Sequence, residues 1–348
     1  MNIALIDPAS HAIQHRVRGA GFYADNLTKS LKKYYPEHNY IFSFYANISK
    51  ADIVHFLFFE PFFKTLPFLK RGKTVATVHD LTPLVFPQNF PAGLKGKIKW
   101  NLQKLALKKL DAIITDSKSS KKDIVKFTGI NEEKIKVIYL AAGEQFRKLE
   151  IGNWKLEIKR KYGLPDRFLL YVGDATWNKN LVRLVEAIKR AQIPLIMTGK
   201  TLIDTDYDKK NPWNKDLAKV QNMILNDGNI IRLGFVPEDD LISLYNAATV
   251  FIMPSLYEGF GLPILEAMSC GCPVVTSKQG SIPEIAQDAA FYVDAYDIND
   301  IADGIKKVFL NNDLRSQLSK KGLEQAKKFS WKKTASQTMN VYKEVIGL

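Results

Sequence analysis

The stretch PSLYEGFGLPILEAMSCGCPVVTS, residues 254–277, decides how the chain is read. It follows TVFIM (249–253), an apolar, β-branched run with the pattern of a strand. Pro263 suits the first turn of a helix, where its missing N–H costs nothing. Gly271 suits a helix end and Pro273 the exit from it. The segment reads as strand, glycine turn, short helix and strand. Glu258 precedes the turn, and Glu266 is expected in the first helical turn. Such a unit belongs to a parallel α/β sheet.

Outward from this stretch the same alternation recurs. Apolar runs in the first half are NIALI, YIFSF, DIVHFLF, TVATVH, AIIT and KVIYL. Those in the second half are RFLLYVG, PLIMTG, NIIRLGF, TVFIMPS, PVVTS and FYV. Helical patterns lie between them at 21–35, 94–110, 181–191, 239–247, 298–310 and 314–328. Two such sets predict two doubly wound, Rossmann-like domains with parallel sheets. Periodicity lapses and charge rises over 141–167, so the first domain is expected over 1–148 and the second over 149–329. The final FSWKKTASQTMNVYKEVIGL reads as an amphipathic helix over 330–348. Ligands of open parallel sheets bind beyond the carboxyl ends of the strands, so chemistry is expected on the loops that follow strands and in the cleft between two domains.

At 348 residues the chain is too long for one small core, and 46% apolar with 25% charged residues is ordinary for a globular protein. No apolar run approaches the ~20 residues that span a bilayer. The start, MNIALIDPAS, lacks a basic region followed by an apolar core, so no signal peptide is expected. Cys270 and Cys272 are too close for a disulfide framework, and a reducing cytoplasm is the expected home. Net charge is +14. Residues 1–144 carry 22 Lys/Arg against 12 Asp/Glu (+10), and the rest 28 against 24 (+4). The excess is densest in GLKGKIKWNLQKLALKKLD (93–111), where apolar residues at helical spacing alternate with lysines. This is either a solvated helix face or a surface for anionic lipid. No nucleic-acid-binding motif accompanies the charge, so nucleic acid is not an expected partner.

A glycine turn feeding a helix N-terminus favours anions. Carboxylates beside an anion are costly unless they accept hydrogen bonds from sugar or ribose hydroxyls. Glu258 and Glu266 therefore suit a ligand that is anionic in the middle and hydroxyl-rich at both ends, a nucleotide-sugar. An isolated pair at this spacing would equally suit one carboxylate on the helix dipole and one in solvent.

The pair is not isolated. The stretch, followed by GSIPEI, resembles the signature of the family-4 retaining glycosyltransferases of GT-B fold. RGAGFYADNL, TVHDLTPL, AIITDSKSSKKDI, LLYVGDATWNKNL, IIRLGFVPEDDLISLYNAA and FSWKKTA match other family segments in order, and the resemblance covers nearly the whole chain. It implies that Glu266 holds the donor ribose and that Glu258 contacts the transferred sugar. Backbone around Gly259, Phe260, Gly261 and Leu262 would meet sugar and diphosphate, and Lys179 would neutralise the leaving diphosphate. Gly19 and Gly21 would let the first loop approach donor and acceptor, His79 would contact sugar or acceptor, and Val236 would lie against the base. The resemblance also implies that the terminal helix returns to the first domain and that no metal or other cofactor is needed.

One departure stands out. The family usually pairs the lysine with an arginine at a position held here by Asp174 or Asn178. Arg183, or Arg16 and Arg18 of the first loop, are candidate substitutes. His79-Asp80 suggests a base with its orienting carboxylate, although adjacent residues at a strand end point different ways. His11 and His15 suit a polar loop or acceptor contact. Asp204–Asp208 contains D-x-D but reads as a solvated loop. The expectation is a cytoplasmic, retaining hexosyltransferase, peripheral on the inner membrane face. It would use a nucleoside-diphosphate sugar, GDP-mannose favoured, and a glycan or lipid-linked acceptor. The alternatives are a catalytically weak nucleotide-sugar-binding protein and a nucleotide-sugar epimerase.

Overall fold

The structure, a computed structural model, describes residues 1–7, 19–43, 51–68, 72–150, 152–225 and 227–348. It forms two compact units, one of Met1–Ala141 with Phe329–Leu348 and one of Ala142–Lys328.

The first unit runs β1 (Asn2–Ile6), α1 (Gly19–Tyr34), β2 (Asn39–Ser43), β3 (Ile53–Phe56), β4 (Lys73–Thr77), α2 (Thr82–Val85), α3 (Gly93–Lys109), β5 (Ala112–Thr115), α4 (Lys118–Thr128) and β6 (Ile135–Val137). Its six strands are parallel in the order β2-β1-β3-β4-β5-β6. Strands covered on both faces read as unbroken apolar runs, and every residue of β3 and β5 is buried. Ala4, Val54, Ala76, Ile113 and Ile124 belong to the core between sheet and helices. Edge strand β2 keeps Ile41 and Phe42 exposed. The order reverses between β1 and β3.

The second unit runs α5 (Trp154–Tyr162), β7 (Leu169–Val172), α6 (Leu181–Ala191), β8 (Leu195–Thr198), α7 (Lys215–Ile224), β9 (Ile230–Gly234), α8 (Glu238–Ala247), β10 (Val250–Met253), α9 (Leu262–Ser269), β11 (Val274–Ser277), α10 (Ile282–Ala286), β12 (Ala290–Val293), α11 (Ile298–Leu310) and α12 (Asn312–Ala326). Its parallel order is β12-β11-β10-β7-β8-β9, with the reversal between β7 and β10. A ligand crevice opens beyond the strands at such a switch point, so the loops after β7 and β10 are the natural place for a site.

The terminal helix α13 (Trp331–Ile346) belongs to the first unit. Ser330 caps it by accepting from the Lys333 amide, and Gly347 in the left-handed region (φ 81°) ends it. The Tyr342 hydroxyl lies 2.6 Å from His55 Nδ1, and the Thr334 hydroxyl donates to the Tyr139 carbonyl at 2.7 Å.

Five helices, α2, α4, α5, α7 and α10, lie where the apolar periodicity marked none. Charge masks two of them: α5 buries only Ile158, and α4 buries Ile124 alone among its large apolar residues. Local signals hold α4, since the Ser117 hydroxyl caps it and Gly129 (φ 69°) ends it.

Candidate functional site

In the second unit the chain leaves β7 through GDATWNK and makes a short 3-10 turn, Trp177–Lys179. It then passes through Asn180 in the left-handed conformation (φ 59°) into α6. The Asn180 amide holds that strained bend by donating to the carbonyls of Pro254 (3.0 Å) and Ala295 (2.7 Å). Asn178 ties the two loops together. Its side chain donates to the Tyr257 carbonyl at 3.0 Å, and its own carbonyl accepts from the Leu256 amide at 2.7 Å.

These ties bring Lys179 against Glu258. The ammonium lies 2.8 Å from both carboxylate oxygens. Glu258 is buried and the lysine is 20% exposed. Removing one member would leave the other charge unpaired in a poorly solvated place, which is far more costly than losing a surface pair. The Glu258 backbone is pinned from behind. The Ser281 hydroxyl contacts the carbonyls of Glu258 (3.0 Å) and Phe260 (2.8 Å). Gly280 (φ 59°) packs so closely that a Cβ there would meet the Glu258 carbonyl oxygen at 2.7 Å and its nitrogen at 2.9 Å. Gly280 and Ser281 were visible in GSIPEI, but only the fold shows what they touch.

Gly261, at φ 96°, turns the chain into α9, with Pro263 in the first turn. Phe260 is buried, and Leu262 is the first helical residue. Glu266 is the fifth residue of α9, not in its first turn as expected, because the helix begins at Leu262. It lies too far along the helix for the dipole to explain it. It is buried and its Oε2 accepts from the Tyr245 hydroxyl at 2.8 Å. Burial raises its pKa to about 7; the Tyr245 hydrogen bond opposes the rise and the Glu238 charge adds to it. Tyr245 carries no motif of its own, and sequence reading missed it. Val236 is buried in the loop after β9, beside exposed Phe235.

Asp174 and Asn178 bring no positive charge. The Asp174 carboxylate accepts from the Thr201 hydroxyl at 3.2 Å. Arg183 donates to Asn180 Oδ1 at 3.0 Å and lies over the Tyr296 ring at 5.5 Å. The D-x-D stretch makes local turns, with Asp204 accepting from the Asp206 amide and Asp208 from the Lys210 amide. Both cysteines are buried free thiols. Among the described residues no group of three or more His, Cys, Asp or Glu is placed to hold a metal ion.

The first unit holds a second charged pair. His79 follows β4 and Asp116 follows the neighbouring β5, and His79 Nδ1 lies 2.6 Å from Asp116 Oδ2. Asp80 is turned elsewhere and accepts from the Thr82 amide at 2.8 Å. The histidine's carboxylate is therefore Asp116, which sequence reading missed because it lies 37 residues away. Burial on its own would lower the His79 pKa, but the Asp116 carboxylate and, more weakly, Asp80 hold it above its ordinary value. Among the described residues no side chain hydrogen-bonds His79 Nε2, and the Leu57 backbone also helps to raise the His79 pKa. Behind it, Tyr23 sets its ring edge-on to His79 at 4.9 Å. The Thr77 hydroxyl lies 2.8 Å from both the Tyr23 hydroxyl and His55 Nε2. Gly19 and Gly21 form the first turn of α1, Gly21 buried and Gly19 with open space where a Cβ would stand. His11, His15, Arg16 and Arg18 lie outside the described residues.

Known proteins resemble the chain in sequence and in fold. The family described as glycosyl transferases group 1 matches residues 155–325, and that described as glycosyltransferase family 4 matches residues 8–141. An O-antigen chain mannosyltransferase B of Escherichia coli is 33% identical over 78% of this chain and 70% of its own. A serotype-specific mannosyltransferase, WbdA, of the same organism is 32% identical over 76% of this chain, which spans 32% of that longer protein. Among solved structures, a sucrose-phosphate synthase from Thermosynechococcus elongatus aligns at TM-score 0.77 and 20% identity, covering 100% of this chain and 99% of that one. Anabaena HepE in complex with UDP-glucose aligns at TM-score 0.77 and 18% identity, covering 99% and 100%. Two six-stranded parallel sheets of this order, with these neighbours and family matches, establish the chain as a GT-B enzyme of the group 1, family-4 glycosyltransferases.

Proposed function

We propose that this glycosyltransferase is a retaining hexosyltransferase that moves mannose from GDP-mannose to a glycan or lipid-linked acceptor. On this reading it serves cell-envelope polysaccharide synthesis, in the cytoplasm at the inner face of the membrane. The O-antigen mannosyltransferase relative supports the donor, and the basic first unit supports the membrane face. The observation that carries the reading is the Lys179–Glu258 pair at the β7/β10 switch point, ahead of the α9 N-terminus.

Donor binding would divide that pair. The diphosphate takes Lys179, which meets the charge that grows as the sugar leaves, and Glu258 turns to the sugar hydroxyls. Glu266, steadied by Tyr245, accepts from the ribose hydroxyls, with Val236 against the base. The acceptor hydroxyl attacks the anomeric carbon from the face the diphosphate is leaving. The C–O bond to diphosphate breaks as the new glycosidic bond forms, and the departing phosphate oxygen takes the acceptor proton. His79, oriented by Asp116, contacts the sugar or acceptor. Positive charge comes from Lys179 and the helix terminus, with no metal in the scheme.

The absence of arginine at 174 and 178 favours one rival, a nucleotide-sugar-binding protein with little turnover. A thermal-shift panel of nucleoside diphosphates and their sugars, on wild type and Lys179→Ala, separates the two when paired with GDP release from GDP-mannose. A ligand that binds only the folded chain raises its melting temperature by mass action. A shift with GDP and GDP-mannose, lost in Lys179→Ala, together with turnover, is expected. Glu266→Ala should weaken binding, and Glu258→Ala should cost turnover more than binding. A shift without turnover on any acceptor tested would favour the rival, and a shift confined to uridine compounds would overturn the mannose donor.

A further inference from the structure

Helix α3 buries one side and leaves a second apolar side in solvent. Gly96, Gln103, Ala106 and Leu107 face inward, and the Gln103 side chain locks the helix down by accepting from the Thr65 and Leu66 amides at 3.0 and 2.8 Å. Leu94, Ile98, Leu102 and Leu105 point the other way and are between 47% and 77% exposed. At ~100° per residue these four fall within a sector of about 80°. Four large aliphatic side chains in one solvent-facing row are not the scattered apolar residues of an ordinary surface. Two rings from the loop between β3 and β4, Phe63 and Phe68, are also half exposed, and Lys99 and Lys109 of α3 lie over them at 5.6 and 4.3 Å.

The charge around the row has one sign. Between Leu81 and Leu110 the chain has six lysines, at 95, 97, 99, 104, 108 and 109, and no acidic residue. On the helical projection Lys95 and Lys99 border the row on one side, and Lys97, Lys104 and Lys108 on the other. A protein partner would have to match both an apolar stripe and a uniformly positive border. Nucleic acid would match the lysines and leave the leucines in water. An anionic bilayer matches both, taking the apolar row at the acyl boundary while the lysines reach its headgroups.

We propose that the outward face of α3, with Phe63 and Phe68, docks flat on an anionic lipid bilayer. This deepens the membrane reading of the proposed function by naming the surface, and it does not depend on the donor or on turnover. The row keeps the first unit at the bilayer, where a lipid-linked acceptor would be presented.

The test is flotation of the full-length chain with vesicles of phosphatidylcholine alone or mixed with phosphatidylglycerol, at low and high salt. Two variants accompany wild type: Leu94→Gln/Ile98→Gln/Leu102→Gln/Leu105→Gln, which keeps every lysine, and Lys95→Gln/Lys99→Gln/Lys104→Gln/Lys108→Gln, which keeps the row. Wild type is expected to float only with phosphatidylglycerol, and less at high salt. Each variant is expected to lose binding by about tenfold or more while keeping the wild-type melting temperature and its shift with GDP. Equal binding to both vesicle types, wild-type binding by the leucine variant, or no binding at all would overturn the proposal. So would a wild-type dimer in solution that the leucine variant turns into a monomer, since the row would then join two copies. Loss of the GDP shift in wild type would sink the donor reading and leave the vesicle result standing.

Discussion

Each unit places a charged pair on loops that follow parallel strands, yet the two pairs are built differently. Lys179–Glu258 stands at a topological switch point, fastened by short-range devices: a left-handed Asn180, an Asn178 tie, and Gly280 and Ser281 against the Glu258 backbone. His79–Asp116 joins the ends of adjacent strands β4 and β5 and leans on a buried hydroxyl and ring network of Tyr23, Thr77 and His55. On the proposed reading a diphosphate and a sugar would separate the first pair. The second can change its protonation state. On the proposed reading the second unit would neutralise charge, and the first would orient substrate with proton sensitivity.

Lys179→Met should break the comparison most sharply. On the proposed reading it removes the cation that would meet the leaving diphosphate, and turnover should fall by roughly 10²–10³-fold, as for the loss of one donor that stabilises developing charge. Steady-state rates with GDP-mannose read this directly, and a near-wild-type rate would make the pair merely structural. Asp116→Asn should act more mildly, lowering kcat about tenfold. Its signature lies in pH. The folded pKa of His79 is raised, so His79 contributes stability below the ordinary histidine value of 6.5 and loses it as pH rises through the folded value. Burial, which raises the Asp116 pKa, adds to the loss with rising pH. The asparagine variant should lack that decline, and its pH–rate profile should move to lower pH. Asp80 and His55 also face His79 and remain in both proteins. An unchanged profile would show that Asp116 only fills space.

Glu266→Gln should sharpen the picture with a stability effect. Burial holds the folded pKa near about 7 against an ordinary 4.5. Between those values the folded chain binds more protons than the unfolded one, so wild-type stability falls as pH rises through that window. The glutamine should spare this loss, gaining on the order of 2 kcal/mol relative to wild type between pH 5 and 8, since one pKa unit is about 1.4 kcal/mol. Melting curves across pH check it, and parallel curves would contradict the buried-carboxylate account. Arg183→Ala should do least. Its contacts are Asn180 and Tyr296, so donor affinity should change less than about threefold. A tenfold loss would mean that Arg183 swings in to replace the missing arginine.

Much of this was legible before folding. The apolar runs marked every strand, the inner ones because parallel strands buried on both faces show as continuous stretches, and edge strand β2 by its apolar composition despite its exposure. Leu181–Ala191 and Ile298–Leu310 were marked to the residue because each buries one clean stripe. Helices α4 and α5 were not, because their apolar residues are few and lysines crowd the pattern. Helix α3 was marked, but its two apolar faces were not, because opposed stripes cancel along the helix and only exposure separates them.

The sequence by itself determined the parallel α/β class and the family resemblance, and it nominated Lys179, Glu258, Glu266 and His79. Glu258 and Glu266 rest on local chemistry, glycine and proline at fixed offsets around a helix start, whereas Lys179 and the contact given to His79 rest on the family resemblance. Tertiary structure alone decided that Lys179 pairs with Glu258, 79 residues away, that Asp116 rather than Asp80 serves His79, and that Tyr245 holds Glu266. It also decided which leucines of α3 face water. Partners brought together by neighbouring strands leave no spacing in the chain, because strand order, not sequence separation, sets their distance.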